Sequence, residues 1–201
     1  MSRTESRMVQ LGTTAPAFEL MDVMSGKAMG RDDIFIATSD EAAGDPKIHA
    51  GLLVMFVCPH CPYVKHLEAE IGNISRDYAG KIAMVAIQSN DVVEYPQDGP
   101  AQMKEQAERY GWQFPYLLDE AQEVARSYEA ECTPDFFLFD ANMELVYRGQ
   151  MDESRPRRSD GFGNDMLVSG KDLREAMDAV VAGKRPDTEQ RASIGCNIKW
   201  K

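Results

Sequence analysis

Two apolar runs stand out from an otherwise mixed chain: Gly51-Leu52-Leu53-Val54-Met55-Phe56-Val57 and Lys81-Ile82-Ala83-Met84-Val85-Ala86-Ile87-Gln88. Each is short, continuous and flanked by turn residues, which predicts a strand buried on both faces. Between them Val64, Leu67, Ile71, Ile74 and Tyr78 recur on one helical face. They predict a helix from about Pro62, a residue suited to the first turn because its missing N–H is not needed there.

The same alternation continues downstream. A Pro/Asp/Gly-rich loop at 89–100 leads to a helix near 101–110, a strand from Phe114 to Leu118, and a helix near 120–128 with Asp119 as N-cap. Phe136 to Phe139 and Glu144 to Arg148 read as a strand pair across the turn at Asp140-Ala141-Asn142. Residues 152–168 form a charged, Gly-containing loop, and 169–182 a last helix stopped by Gly183. Upstream, residues 12–20 lead into a strand, Ser25-Gly26 marks a turn, and 37–47 is a polar, turn-rich surface loop. Strands alternating with helices indicate an α/β layered fold, with 1–201 as one domain and 184–201 as a tail without strong pattern.

Composition narrows the picture. With 201 residues, 43% of them hydrophobic, the chain can fill one core. Its 33 acidic and 22 basic residues give a net charge of −11, which sets a repulsive field against nucleic acid or an anionic membrane surface. No apolar run approaches the roughly 18 residues of a membrane span. The polar start, Met1 to Met8, lacks the apolar core of a secretory signal, so a cytoplasmic protein is expected. The 12 methionines are scattered through apolar segments and read as core filling. Four cysteines are too few for a disulfide scaffold, which makes them candidates for catalysis or metal binding.

Two of the cysteines carry the strongest chemistry: Cys58-Pro59-His60-Cys61 directly follows the first buried strand. A Cys-x-x-Cys at a strand-to-helix junction is a dithiol redox site. Unpaired N–H groups and the helix dipole there favour thiolate over thiol. Cys58 is expected to be the exposed nucleophile at the helix N-terminus. Cys61, on the first helical turn, is expected to be more buried and to resolve the mixed disulfide on Cys58. His60 adds a proton-dependent positive charge beside the nucleophile.

A second cluster, Cys132-Thr133-Pro134 followed by the apolar strand Asp135-Phe136-Phe137-Leu138-Phe139, places a proline opposite the dithiol. A cis peptide at Pro134 would leave backbone groups free to pair with an extended peptide. Cys132 and Cys196 are auxiliary thiols, either buried and inert or a second redox pair feeding the first. His66 and Lys65 follow the dithiol on its helix, His66 with a surface role expected. His49 gives no usable signal.

Strand, Cys-x-x-Cys, helix and Thr-Pro before a strand together resemble the thioredoxin superfamily. More closely, the chain resembles the peroxiredoxin-like proteins of the alkyl hydroperoxide reductase C/thiol-specific antioxidant family. The matching segments are Gly12 to Phe18, Phe56 to His66, Ser89 to Asp91, Phe114 to Glu120, Cys132 to Asp140 and Ile194 to Trp200. The resemblance implies a thioredoxin-like fold with a central mixed β-sheet flanked by helices, an N-terminal extension and loop insertions. Two positions depart from it. Aligned on Cys61, the peroxidase motif's threonine and proline positions hold Cys58 and Val54, so the groups that orient peroxide are missing. The buried acid that thioredoxin carries six positions before its first cysteine is Leu52 here. The Cys-Pro-His-Cys choice itself is like that of strongly oxidising periplasmic dithiol oxidases.

The expected function is therefore thiol–disulfide exchange with Cys58, Cys61, His60 and Pro134 at the site and no organic cofactor or resident metal. Partners would be a protein or small-molecule disulfide or dithiol, plus a cellular thiol reductant such as another thioredoxin. A thiol peroxidase acting on hydroperoxide through a sulfenate on Cys58 or Cys61 is the second expectation. A Cu(I)- or Zn(II)-binding module is the third.

Overall fold

The computed structural model describes residues 3–37, 47–157, 159 and 161–201. The surface loop expected at 37–47 thus lies almost wholly outside the described residues. In chain order the elements are β1 (Arg3–Glu5), β2 (Glu19–Asp22), β3 (Ala28–Gly30), α1 (Arg31–Phe35), β4 (Ile36–Ala37) and β5 (Lys47–Ile48). Then come β6 (Gly51–Phe56), α2 (Pro62–Asp77), β7 (Ile82–Gln88), a 3-10 turn (Pro96–Asp98), α3 (Pro100–Tyr110) and β8 (Tyr116–Leu118). The chain continues through α4 (Glu123–Ser127), β9 (Cys132–Thr133), β10 (Asp135–Asp140), β11 (Leu145–Gly149), α5 (Lys171–Val181) and β12 (Ile194–Asn197).

Seven strands form the central sheet in the order β11-β10-β6-β7-β8-β2-β3. The β6–β7 and β7–β8 pairs are parallel and the other pairs antiparallel, so the sheet is mixed. Both apolar runs of the sequence lie in its middle. Along β6, Leu53 and Met55 face one core with Val64, Ile71 and Met177, while Leu52, Val54 and Phe56 face a second with Val85, Phe137 and Tyr128. Burial on both sides is why β6 shows no polar alternation. Each such fully buried side chain contributes about 1.5–3 kcal/mol. On the first side α3 closes on α2 so tightly that a Cβ at Gly72 would lie 2.2 Å from the Tyr110 carbonyl oxygen.

Several boundaries differ from the sequence pattern for local reasons. Strand β8 starts at Tyr116 rather than Phe114, because Pro115 has no N–H to give to the ladder. Helix α4 starts at Glu123, after Gln122 in the left-handed region at φ 63°. Asp119 is not its N-cap in position, yet its carboxylate accepts from the Val124 and Ala125 N–H groups at 3.4 and 2.9 Å and so still serves the free helix end. The 152–168 loop is tied to the body: Asp152 accepts from the Ser169 and Gly170 N–H groups, both at 2.7 Å, just before α5.

The tail holds the largest difference. Within the patternless stretch 184–201, β12 forms the centre of a second sheet, β1-β12-β9. Beyond β12 the Ile198 N–H donates to the Glu131 carbonyl at 3.1 Å and the Lys199 N–H to Asn90 Oδ1 at 2.9 Å. Arg126 sits 4.4 Å over the Trp200 ring. Among the described residues, no helix is long and apolar enough to cross a membrane.

Candidate active site

The dithiol lies where β6 ends and α2 begins, as expected, but the two cysteines stand differently to the helix end. Cys61, not Cys58, is the N-cap of α2, because Pro59 and His60 form a turn and Pro62 is the first helical residue. Both sulfurs are covered: Cys58 is 1% exposed and Cys61 0%, so Cys58 is not the exposed thiol anticipated. Thr133, on β9, contacts both. Its Oγ1 is 3.4 Å from Cys58 Sγ, and its carbonyl oxygen accepts from Cys61 Sγ at 3.1 Å. The Thr133–Pro134 peptide is cis.

The electrostatics favour one thiolate, on Cys61. Burial opposes it, but hydrogen bonds from Cys196, Cys58, Thr133 and the Val64 N–H outweigh burial and hold Cys61 well below the usual thiol range. Val64 is the third residue of α2, so part of this stabilisation comes from a free helix N–H. Cys58 moves the opposite way. Burial comes first, then its hydrogen bond and charge interaction with Cys61, then the charge of Asp98; together they push its thiol well up. The helix-terminus effect anticipated for Cys58 acts on Cys61 instead, since α2 begins at Pro62, as the sequence predicts, and Cys61 is its N-cap.

Asp98 is the component that sequence reasoning missed. It arrives from the 3-10 turn after β7, fully buried. Its carboxylate accepts from the His60 N–H at 3.0 Å and Asn90 Nδ2 at 2.8 Å, and also meets His60 Nδ1. His60 is thereby committed to a carboxylate and stacks on Tyr95, with ring centroids 5.9 Å apart and planes 8° from parallel. A Cys58 sulfur, a His60 nitrogen and an Asp98 oxygen lie within 4.8 Å of one another. The only sequence signal was a carboxylate in the turn cluster Tyr95-Pro96-Gln97-Asp98-Gly99-Pro100. Leu52, where thioredoxin's acid would stand, is buried in the second core, far from polar work.

The remaining candidates separate. Cys196 is brought to the dithiol and is one of the groups hydrogen-bonded to Cys61. Cys132 faces away, its thiol donating to the Pro134 carbonyl at 3.6 Å. Burial, then the charges of Asp135 and Cys61, push its pKa well up. The backbone beside Pro134, expected to be free for an extended peptide, is occupied: Thr133 pairs with Cys196 and Cys132 with Asn197 of β12. His66 is half-buried rather than a plain surface residue. Its Nε2 lies 3.0 Å from Ser154 Oγ, and burial lowers its pKa.

With this geometry in hand, comparison with known proteins places the chain. A family model described as the AhpC/TSA family matches residues 11–148, from before β2 to within β11. The chain belongs to the AhpC/TSA family. An uncharacterized conserved protein from Geobacillus kaustophilus is similar at 42% identity and a TM-score of 0.88, over 100% of this chain and 97% of that one. A hypothetical protein from Sinorhizobium meliloti 1021 is similar at 40% identity and a TM-score of 0.87, over 98% of each chain. The thioredoxin domain of a thiol-disulfide oxidoreductase from Bacteroides vulgatus, at 16% identity, shares the fold with a TM-score of 0.51 over 70% of this chain and 88% of that one. No curated protein matches the sequence. This AhpC/TSA-family protein therefore has the thioredoxin-like fold, and an oxidoreductase is what its family frame supports.

Proposed function

We propose that this protein is a thiol–disulfide oxidoreductase working through Cys58 and Cys61. The observation that carries this is the shared environment of the two sulfurs, both of them in contact with Thr133 at the junction of β6 and α2. Of the two sulfurs, Cys61 is the one whose surroundings favour the thiolate, while those of Cys58 hold its proton. When Cys58 attacks a partner disulfide, that proton has an acceptor already in contact. The S–S bond to the partner forms on Cys58 and the partner's other sulfur leaves as thiolate. Cys61 then attacks Cys58, closes the internal disulfide, and releases the second partner thiol. A cellular thiol reductant regenerates the dithiol. The electrons stay on sulfur throughout, so the cycle uses no organic cofactor. A cytoplasmic setting belongs to this proposal and is supported by the sparse cysteines.

The second function, a thiol peroxidase, has the AhpC/TSA frame behind it but Val54 and Cys58 at the positions that orient peroxide. Metal binding is favoured by the Cys58, His60 and Asp98 donor set. Against it, both Asp98 oxygens are already engaged with His60, one of them also accepting from Asn90. Differential alkylation with mass spectrometry, after separate challenge with stoichiometric oxidised glutathione and hydrogen peroxide, tests the order. Rapid Cys58–Cys61 disulfide formation with oxidised glutathione and slow reaction with peroxide are expected. Rapid peroxide-driven sulfenate on either cysteine would overturn the proposal in favour of the peroxidase.

A further inference from the structure

The edge of β9 is where a peptide carrying a disulfide would add as an extended strand, since Thr133 touches both active sulfurs. The protein's own β12 lies there instead, antiparallel, with Cys196 directly opposite Thr133. The approach is close: a Cβ at Gly195 would fall 2.1 Å from the Thr133 carbonyl oxygen, so only glycine lets the strand reach this depth. Strand β1 pairs with the other edge of β12, with Arg3 opposite Cys196, and holds it from outside. Strand β12 therefore presents a cysteine to the dithiol much as a bound substrate strand would. Cys196 is 2% exposed and belongs to the same core cluster as Cys58 and Cys61.

We propose that Cys196 is a third redox thiol, a built-in substrate that exchanges with the Cys58–Cys61 disulfide through Cys61. The inference rests on the dithiol function proposed above and extends it. The step is internal. The Cys196 sulfur attacks Cys61, the Cys61–Cys196 bond forms, and the Cys58–Cys61 bond breaks with its electron pair on Cys58. The proton given up by Cys196 ends on Cys58. Two electrons' worth of oxidation stays in the protein, and no outside oxidant takes part. The product is an oxidised protein that again carries a free Cys58 thiol, which a plain two-cysteine site lacks.

Helix α2, with Cys61 as its N-cap, packs against β12, which supports the contact this exchange requires. Cys132, which the sequence offers as an equal candidate, is excluded by geometry, because its thiol is turned to the Pro134 carbonyl.

The test uses full-length wild-type protein, Cys58→Ser, and the double variant Cys58→Ser/Cys196→Ala. Each is reduced, treated with stoichiometric oxidised glutathione, quenched by alkylation and mapped as non-reduced peptides. Circular dichroism confirms that each variant is folded. In Cys58→Ser the expected product is an internal Cys61–Cys196 disulfide with loss of the glutathione adduct. The double variant is expected to retain that adduct on Cys61. Wild type forming Cys58–Cys61 while folded Cys58→Ser keeps glutathione on Cys61 and a free, alkylatable Cys196 would overturn the third-thiol role and leave the dithiol function standing. Failure of wild type to form Cys58–Cys61 at all would overturn the dithiol function, and this inference with it.

Discussion

Asp98 has no exposure, hydrogen bonds to His60 and Asn90, and a thiol for a neighbour, and it works against ionisation of Cys58. Removing its charge while keeping its shape, as in Asp98→Asn, lowers the Cys58 pKa, because a like charge next to a forming thiolate disfavours it. The expected outcome is several-fold faster alkylation of Cys58 near neutral pH, read from the pH dependence of iodoacetamide labelling with peptide mapping. An unchanged profile would mean that the carboxylate does not act on the sulfur. The placement of the two cysteines at the end of β6 was legible at this scale, since a Cys-x-x-Cys directly follows an apolar run. Asp98 was not, because its distance from Cys58 exists only once the loop after β7 folds back. Nor were the opposite shifts of the two thiols, which turn on which cysteine caps the helix that begins at Pro62.

Elements with strong periodicity were readable: β6, β7, α2 and the β10–β11 pair lie where the pattern of apolar positions predicts them. Strand β12 was not readable. Four residues, two of them Gly195 and Asn197, carry no alternation, and the strand exists because β1 and β9 flank it. Short strands are specified by their neighbours more than by their own propensity. Its fit to β9 can be tested at Gly195. Gly195→Ala places a methyl group against the Thr133 carbonyl and the Pro134 nitrogen, at 2.1 and 3.1 Å, so backbone must move. A loss of about 1–3 kcal/mol is expected, as for other overpacked sites. At this chain length that lowers Tm by roughly 2–12 °C. Thermal unfolding measures it, and an unchanged Tm would show that β12 yields without cost.

Across the whole molecule the least comfortable feature is the Asp135–Arg148 pair, both side chains fully buried and 3.9 Å apart at their nearest atoms. Burial pushes the Asp135 carboxyl up to about 7, against the favourable charge of Arg148. In the unfolded chain an aspartate ionises near about 3.9. Between those values the native state holds a proton that the unfolded state has released, so stability falls as pH rises through this window. Asp135→Asn removes the titration and is expected to abolish that part of the decline. The difference in unfolding free energy between wild type and variant should thus drift by on the order of a few kcal/mol from pH 4 to pH 8. Asp152, whose shift has the opposite sign, is common to both proteins and cancels. Denaturant melts across this range give the answer, and parallel pH profiles would mean that Asp135 ionises normally. The α/β layering around the central sheet was legible from alternating strands and helices, whereas this pair was not, since Asp135 and Arg148 each sit in a strand that a sequence reader fills with apolar neighbours.

A chain is made from its N-terminus, and β12 emerges well after β6, α2 and β10 have left the ribosome. Until it does, Cys132 and Thr133 lack the strand partners that β12 gives them. The nascent protein thus lacks, beside its Cys-x-x-Cys, the third thiol that β12 carries. Closure of the small β1-β12-β9 sheet, joining segments far apart in the sequence, is the step that delivers it.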